Sequence, residues 1–124
     1  MSDDLTLDEW LVTTQEKRDE LDSYSRSALP STMEERHSDI DKSIQLSADS
    51  GALLADAESY LSQAKGIALM DLRNDPAEYT GRELDILVKA RVRTVQRIVD
   101  GIHVTNRTLG ARIFAIQNAN RARL

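Results

Sequence analysis

The residues best suited to chemistry form a row of cations in the last third of the chain. Lys89, Arg93 and Arg97 recur every four residues, so a helix places them in one line, with Arg107 near it. We call these four residues the basic ridge, and Arg112 flanks it. Arginine and lysine bind phosphate oxygens without reading a base sequence. The pattern therefore predicts nucleic-acid contacts at these positions: Lys89, Arg93, Arg97, Arg107 and Arg112.

The distribution of charge leaves two interpretations of this ridge open. Residues 89–124 contain eight basic residues and a single acid, Asp100, although the whole chain carries a net charge of −5. Residues 1–50 contain thirteen acids and five bases. Such asymmetry is typical of a basic segment that meets a polyanion, or of one that folds against the acidic part of its own chain. Like charges four residues apart on a helix repel, so either partner would stabilise the ridge.

Catalytic and metal chemistry find no support in the sequence. There is no Gly-rich loop following a strand, and no nucleophile stands beside a base that a third group could orient. His37 has Asp41 one turn further on, but a metal site needs three or four converging ligands. His103 is interpreted as a surface or interface residue. We expect no enzyme activity, no metal and no cofactor.

A heptad pattern accompanies the ridge on the opposite side of the same segment. Its positions alternate steps of three and four residues, with a polar residue, Asn106, at one of them. This spacing is typical of a coiled-coil seam. Asn106 either fixes register and partner number in that seam, or marks the point where the seam meets solvent. We therefore predict that these residues mediate oligomerisation: Val92, Val95, Val99, Ile102, Asn106, Leu109, Ile113 and Ile116.

Helix-start signals predict an all-α chain. Three capping boxes are recognisable, beginning at Thr6, at Ser31 or Thr32, and at Thr80. They predict a first helix from about residue 7 to 28, a short second helix, and a fourth helix from about residue 80 to 119. Small polar residues around 47–51 predict a break that separates the second helix from a third, at 52–73.

This organisation predicts an acidic N-terminal helical arm, residues 1–48, followed by a long antiparallel helical hairpin, residues 49–124. The third helix would be about 33 Å long and the fourth about 60 Å, at 1.5 Å per residue. The second half of the fourth helix, roughly 102–116, would then need cover from the arm or from another copy. The mismatch favours an oligomeric, coiled-coil-like bundle.

The segment 52–118 resembles small all-helical proteins of tailed bacteriophages. The resemblance is carried by the run Tyr60-Leu61-x-x-x-Lys65 in a shorter helix, and by Asn106-Arg107 with a later Arg112 in a long one. Such proteins are often encoded beside recombination and replication genes, and some act as recombination mediators. The resemblance implies an accessory role in phage-type DNA metabolism, with single-stranded DNA and a recombination or replication protein as partners.

Two other functions stay open at this stage. The chain could be a protein-interaction or inhibitor module whose acidic arm meets the target. It could also be a helical oligomer that holds a small anion at Arg91, Arg107 or Arg112. The chain has no cysteine, begins with an acidic stretch unlike a signal peptide, and contains no apolar run long enough for a membrane span. We expect a cytoplasmic protein, in the host cytoplasm if it is phage-encoded.

Overall fold

The computed structural model describes residues 7–121 and consists of four α-helices. They are α1 (Leu7–Ser25), α2 (Met33–Arg73), α3 (Gly81–Arg91) and α4 (Arg93–Arg121). No strand occurs within the described range. The predicted all-α fold is therefore confirmed.

Two of the three predicted helix starts are present. The Thr32 hydroxyl accepts a hydrogen bond from the Glu35 amide at 3.1 Å and caps α2. At α3 the box is reciprocal: the Glu83 amide donates to Thr80 Oγ1 at 3.2 Å, and the Thr80 amide donates to the Glu83 carboxylate at 3.3 Å. Such caps satisfy amides that no helical carbonyl can reach. The start predicted at Thr6 lies outside the described residues.

The break predicted around residues 47–51 is wrong, because these residues lie inside α2, a single helix of 41 residues. One of the small residues there, Ser50, is packed rather than loose. Ser43, Ser50 and Ala57 recur every seven residues and are all 0% exposed. They form a line along which neighbouring helices approach closely, so tertiary packing outweighs the weaker helix propensity of the two serines. The predicted boundary between the arm and the hairpin, after residue 48, lies inside α2.

The predicted fourth helix is interrupted once, at Val92. This residue has φ −99° and ψ 10°, and it separates α3 from α4. Its amide still donates to the Val88 carbonyl at 3.1 Å, and its carbonyl accepts from the Gln96 amide at 2.9 Å. Val92 is itself buried in the core, among β-branched neighbours whose side chains are restricted in a helix.

Helices α1, α2 and α4 pack together, with α1 and α4 each antiparallel to α2. At one level the ring of Trp10 in α1 stacks on that of Tyr60 in α2, with centroids 4.0 Å apart. At the other level Tyr24 in α1 and Arg112 in α4 both contact Asp39 in α2. The main core cluster lies around the level of Trp10, where Ala57 and Leu61 of α2 meet Val92 and aliphatic side chains of α4.

We expected an oligomer because the third helix would be too short to cover the fourth. The structure does not contain this difference in length, so it does not support that argument. A continuous α2 is about 62 Å long, enough to accompany the whole of α3 and α4. The part that α1 leaves bare is instead at the other end, beyond the core cluster of Trp10 and Leu61, where the last turns of α2 pack against α3. There Ile67, Met70 and Ile86 are each more than half exposed.

None of the four described helices contains an apolar stretch of the length that a membrane span requires.

Candidate functional site

The basic ridge lies on the outer face of α3 and α4. Lys89, Arg93, Arg97 and Arg107 are all exposed, as the helical periodicity predicted. Val104 and Phe114 are exposed on the same helix, and Phe114 lies seven residues beyond Arg107, hence on nearly the same side. The structure therefore presents these four cations and a free aromatic ring on one surface.

A shallow groove of about 430 Å³ follows the ridge across the interruption at Val92. It is lined by Lys89, Arg93 and Arg97, together with small and apolar side chains of the same face. The one acid among its lining residues on α4, Asp100, accepts a hydrogen bond from Gln96 at 3.0 Å. Positive charge thus dominates this stretch of the surface.

Most of the ridge is not neutralised by the acidic N-terminal part of the chain. Lys89 pairs with Asp85 one turn earlier, at 3.0 Å, but both side chains are well exposed, so the pair is weak. Arg93, Arg97 and Arg107 form no ion pair with any described residue. Of the two interpretations that the sequence left open, internal pairing with residues 7–121 is absent for these three arginines.

Arg112 is different from the other predicted phosphate-binding residues, because it is buried. Its side chain is 3% exposed, and its Nε and one terminal nitrogen donate to the two carboxylate oxygens of Asp39 at 3.0 and 3.2 Å. Its other donors reach the carbonyls of Ser27 at 2.6 Å and Ala28 at 3.3 Å. The Tyr24 ring lies 4.7 Å from the guanidinium carbon. In this conformation Arg112 cannot reach a phosphate outside the protein.

The same cluster perturbs three titratable groups. Burial alone would raise the pKa of Asp39, but the hydrogen bonds from Arg112 and Tyr24 outweigh burial and lower it. Burial likewise opposes the charge on Arg112, while Asp39 raises its pKa. Burial first, and then the hydrogen bond to Asp39, raises the pKa of the Tyr24 hydroxyl. The cluster therefore connects α1, α2 and α4 through one ion pair and several hydrogen bonds.

The residues predicted to mediate oligomerisation are packed inside the single chain. Six of them are buried: Val92, Val95, Val99, Ile102, Leu109 and Ile116. Asn106 and Ile113 are partly exposed. The heptad pattern thus identified the inward side of α4, but its partners are α1 and α2 of the same chain. In this conformation the seam offers little free surface to a second copy.

Sequence reasoning missed a second groove, of about 460 Å³, between α1 and α2. Leu21, Leu46 and Leu53 line it, and its carboxylates are Glu20, Asp49 and Asp56, with one cation, Lys17. We call this surface the acidic groove. The spacing of Leu46, Asp49, Leu53 and Asp56 on α2, in steps of three and four, was a usable signal. The break wrongly placed at 47–51 concealed it by dividing that helix.

Comparison with known proteins identified no relative. No protein-family model, no curated protein and no solved structure matches the chain. The resemblance of residues 52–118 to phage recombination proteins therefore stays a prediction.

The histidines and carboxylates do not gather into a metal-binding arrangement. Within residues 7–121, no three His, Asp or Glu side chains are placed to hold a metal ion. His103 Nε2 lies 3.4 Å from a carboxylate oxygen of Glu58, and both side chains are half exposed. Of the three arginines considered for a small anion, Arg91 and Arg107 are exposed and Arg112 is bound to Asp39.

Proposed function

We propose that this chain is a non-enzymatic helical accessory protein that binds single-stranded DNA through the basic ridge and associates with itself. The context implied by the sequence resemblance is phage-type recombination or replication, in the host cytoplasm, with a recombination or replication protein as a further partner. A coiled-coil-like hairpin within an oligomeric bundle is part of this proposal.

One observation carries the nucleic-acid part of the proposal. Arg93, Arg97 and Arg107 are exposed and have no ionic partner among the described residues. A row of unneutralised cations on a rigid helix attracts a polyanion, because each phosphate contact releases condensed counterions. The arginines follow one another along the helix axis, and this arrangement suits the extended phosphate backbone of a nucleic acid.

Phe114 favours a single strand over a duplex. Its ring is 63% exposed and lies on nearly the same side of α4 as Arg107. Aromatic rings stack on unpaired bases, and such a contact contributes about 1–3 kcal/mol per base. Bases within a duplex are already stacked on one another, so they gain little from this ring.

The experiment compares wild-type protein with the triple variant Arg93→Gln, Arg97→Gln, Arg107→Gln on a labelled oligonucleotide at several salt concentrations. Binding by the wild type should weaken steeply with salt, and the variant should lower that slope by about 0.7 per lost contact, hence by about two. Phe114→Ala should weaken single-strand binding without changing the slope.

A matched control removes three charges elsewhere. Lys42, Lys65 and Arg73 are exposed and lie on α2, away from the ridge. Their replacement by Gln changes the net charge equally, so it should leave the salt slope close to that of the wild type. If the wild type shows no binding at low ionic strength, or if both triple variants lose it equally, the ridge is not a nucleic-acid site.

A second candidate function rests on the acidic groove. Its leucines and carboxylates fit a basic, apolar segment of another protein, and an interaction or inhibitor module would use this groove, of which Glu20, Leu21 and Leu46 belong to the acidic arm. This candidate requires no nucleic acid. It is favoured if the protein does not bind DNA, and if replacing the carboxylates of the groove by amides abolishes the binding of a partner protein.

A further inference from the structure

The acidic groove and the basic ridge are two oppositely charged surfaces of one chain that do not touch each other. The groove lies between α1 and α2, whereas the ridge lies on the outer face of α3 and α4. Glu20 and Asp56 form no ion pair with described residues, and Asp49 only accepts a hydrogen bond from Gln45, at 3.3 Å. Against residues 7–121, both surfaces therefore keep most of their charge unneutralised.

Both surfaces also contain apolar side chains. Leu21, Leu46 and Leu53 are each partly exposed in the groove. The outer face of α4 carries Val104 among its arginines, 36% exposed. A helix that presents cations and aliphatic side chains together suits a groove with an apolar floor and acidic walls.

We infer that the acidic groove of one chain receives the basic outer face of α4 from a second copy. The inference rests on the self-association in the proposed function and names its surface. Asp49 and Asp56 are about 10 Å apart along α2, and Arg97 and Arg107 are about 15 Å apart along α4. Arginine side chains are long enough to cover this difference, so one helix laid along the groove brings both arginines near carboxylates.

This contact joins two different surfaces, so it is heterologous. Each added copy leaves one groove and one ridge free, and the assembly grows into a ring or an open chain. It is built largely on exposed charges, so it weakens as salt increases. Single-stranded DNA and a second copy compete for the same arginines, and DNA therefore dissociates the assembly.

The test uses two neutral triple variants of the full chain. The groove variant is Glu20→Gln, Asp49→Asn, Asp56→Asn, and the ridge variant is Arg93→Gln, Arg97→Gln, Arg107→Gln. Light scattering at low ionic strength should give a mass above 13.9 kDa for the wild type and the monomer mass for either variant alone. An equimolar mixture should form a dimer and nothing larger, because each variant retains one of the two complementary surfaces.

A control triple variant, Asp41→Asn, Asp71→Asn, Glu78→Gln, removes three exposed acids outside the groove and should keep the wild-type mass. Circular dichroism confirms that each variant is folded. If the wild type is a monomer, self-association fails together with this inference. If it is an oligomer and the groove variant keeps its mass, only the assignment of the groove is overturned.

DNA binding provides an independent readout. The groove variant should bind single-stranded DNA at least as well as the wild type, whereas the ridge variant should lose both DNA and self-association. Added oligonucleotide should lower the mass of the wild-type assembly. A ternary assembly that keeps its full mass with DNA bound would overturn the shared use of the arginines.

Discussion

Arg112 on α4 and Asp39 on α2 form an ion pair in which both side chains are at most 10% exposed, although 73 residues separate them in the chain. The guanidinium also binds the carbonyls of Ser27 and Ala28, just after the end of α1. The last turn of α1 contains no basic residue of its own. Arg112 therefore supplies, from another helix, the cation that stabilises a helix C-terminus.

Replacing Arg112 with Met should destabilise the fold severely. The substitution leaves the Asp39 carboxylate buried without its cation and removes the donors to two carbonyls, and breaking a buried pair in this way costs about 3–5 kcal/mol. Urea denaturation followed by circular dichroism measures the free energy of unfolding. The control is Arg107→Met on the exposed side of the same helix, which should change that free energy by less than about 0.5 kcal/mol. Equal losses in the two variants would show that the Asp39 pair is not a stabilising contact.

The same pair predicts an acid dependence of stability. The pKa of Asp39 in the folded chain lies below its ordinary value of 3.8, because hydrogen bonds from Arg112 and Tyr24 outweigh the effect of burial. A group with a lowered folded pKa contributes stability that is complete well above pH 4 and is lost as the pH falls through the folded pKa. Asp39→Asn should therefore show a shallower loss of unfolding free energy below pH 4 than the wild type. Asp41→Asn, at an exposed position on α2, should keep the wild-type slope.

Val99→Asp should unfold the chain rather than only separate subunits. Val99 is 3% exposed and belongs to the core shared by α1, α2 and α4, so an unpaired carboxylate there costs at least about 3 kcal/mol. Val104, 36% exposed on the same helix, is the matched position, and Val104→Asp should remain helical. Thermal melting followed at 222 nm distinguishes the two. A folded, monomeric Val99→Asp protein would contradict the packing described for α4.

Gly51 and Gly101 should respond differently to replacement by alanine. Gly51 lies inside the continuous α2, and a Cβ there would meet nothing within 4 Å, so alanine should stabilise the fold by up to about 1 kcal/mol. At Gly101 a Cβ would lie 3.3 Å from Arg18 Nε, so that side chain must move and the gain should be smaller. Melting temperatures of the two variants measure the difference. A loss of stability in Gly51→Ala would indicate that the helix is interrupted there after all.

The features predicted correctly from sequence are those that depend on neighbours along the chain. A cap such as Thr80 with Glu83 is decided within one helical turn, and the exposed line of Arg93 and Arg97 follows from helical periodicity alone. The continuity of α2 is not local in this sense. Ser50 favours a break by its own propensity, but it is fully buried against other helices.

The role of Arg112 could not be read from its own segment either. It flanks the ridge on a helical wheel, and only the approach of Asp39 from α2 and of the carbonyls after α1 makes burial of its charge favourable. Similarly, the heptad positions around Val99 and Ile102 indicate which side of α4 is buried, but they do not indicate which helix covers it. Both questions depend on contacts between distant parts of the chain.

The unequal lengths of α1 and α2 have a consequence for how this chain can change in evolution. Beyond the core cluster of Trp10 and Leu61 the chain continues as a pair of helices, α2 and α3, joined by a turn at residues 74–80. Inserting seven residues in each helix of the pair would preserve its facing sides and lengthen it by about 10 Å. The reach of this end can therefore vary between related proteins, while the tie between Asp39 and Arg112 stays undisturbed.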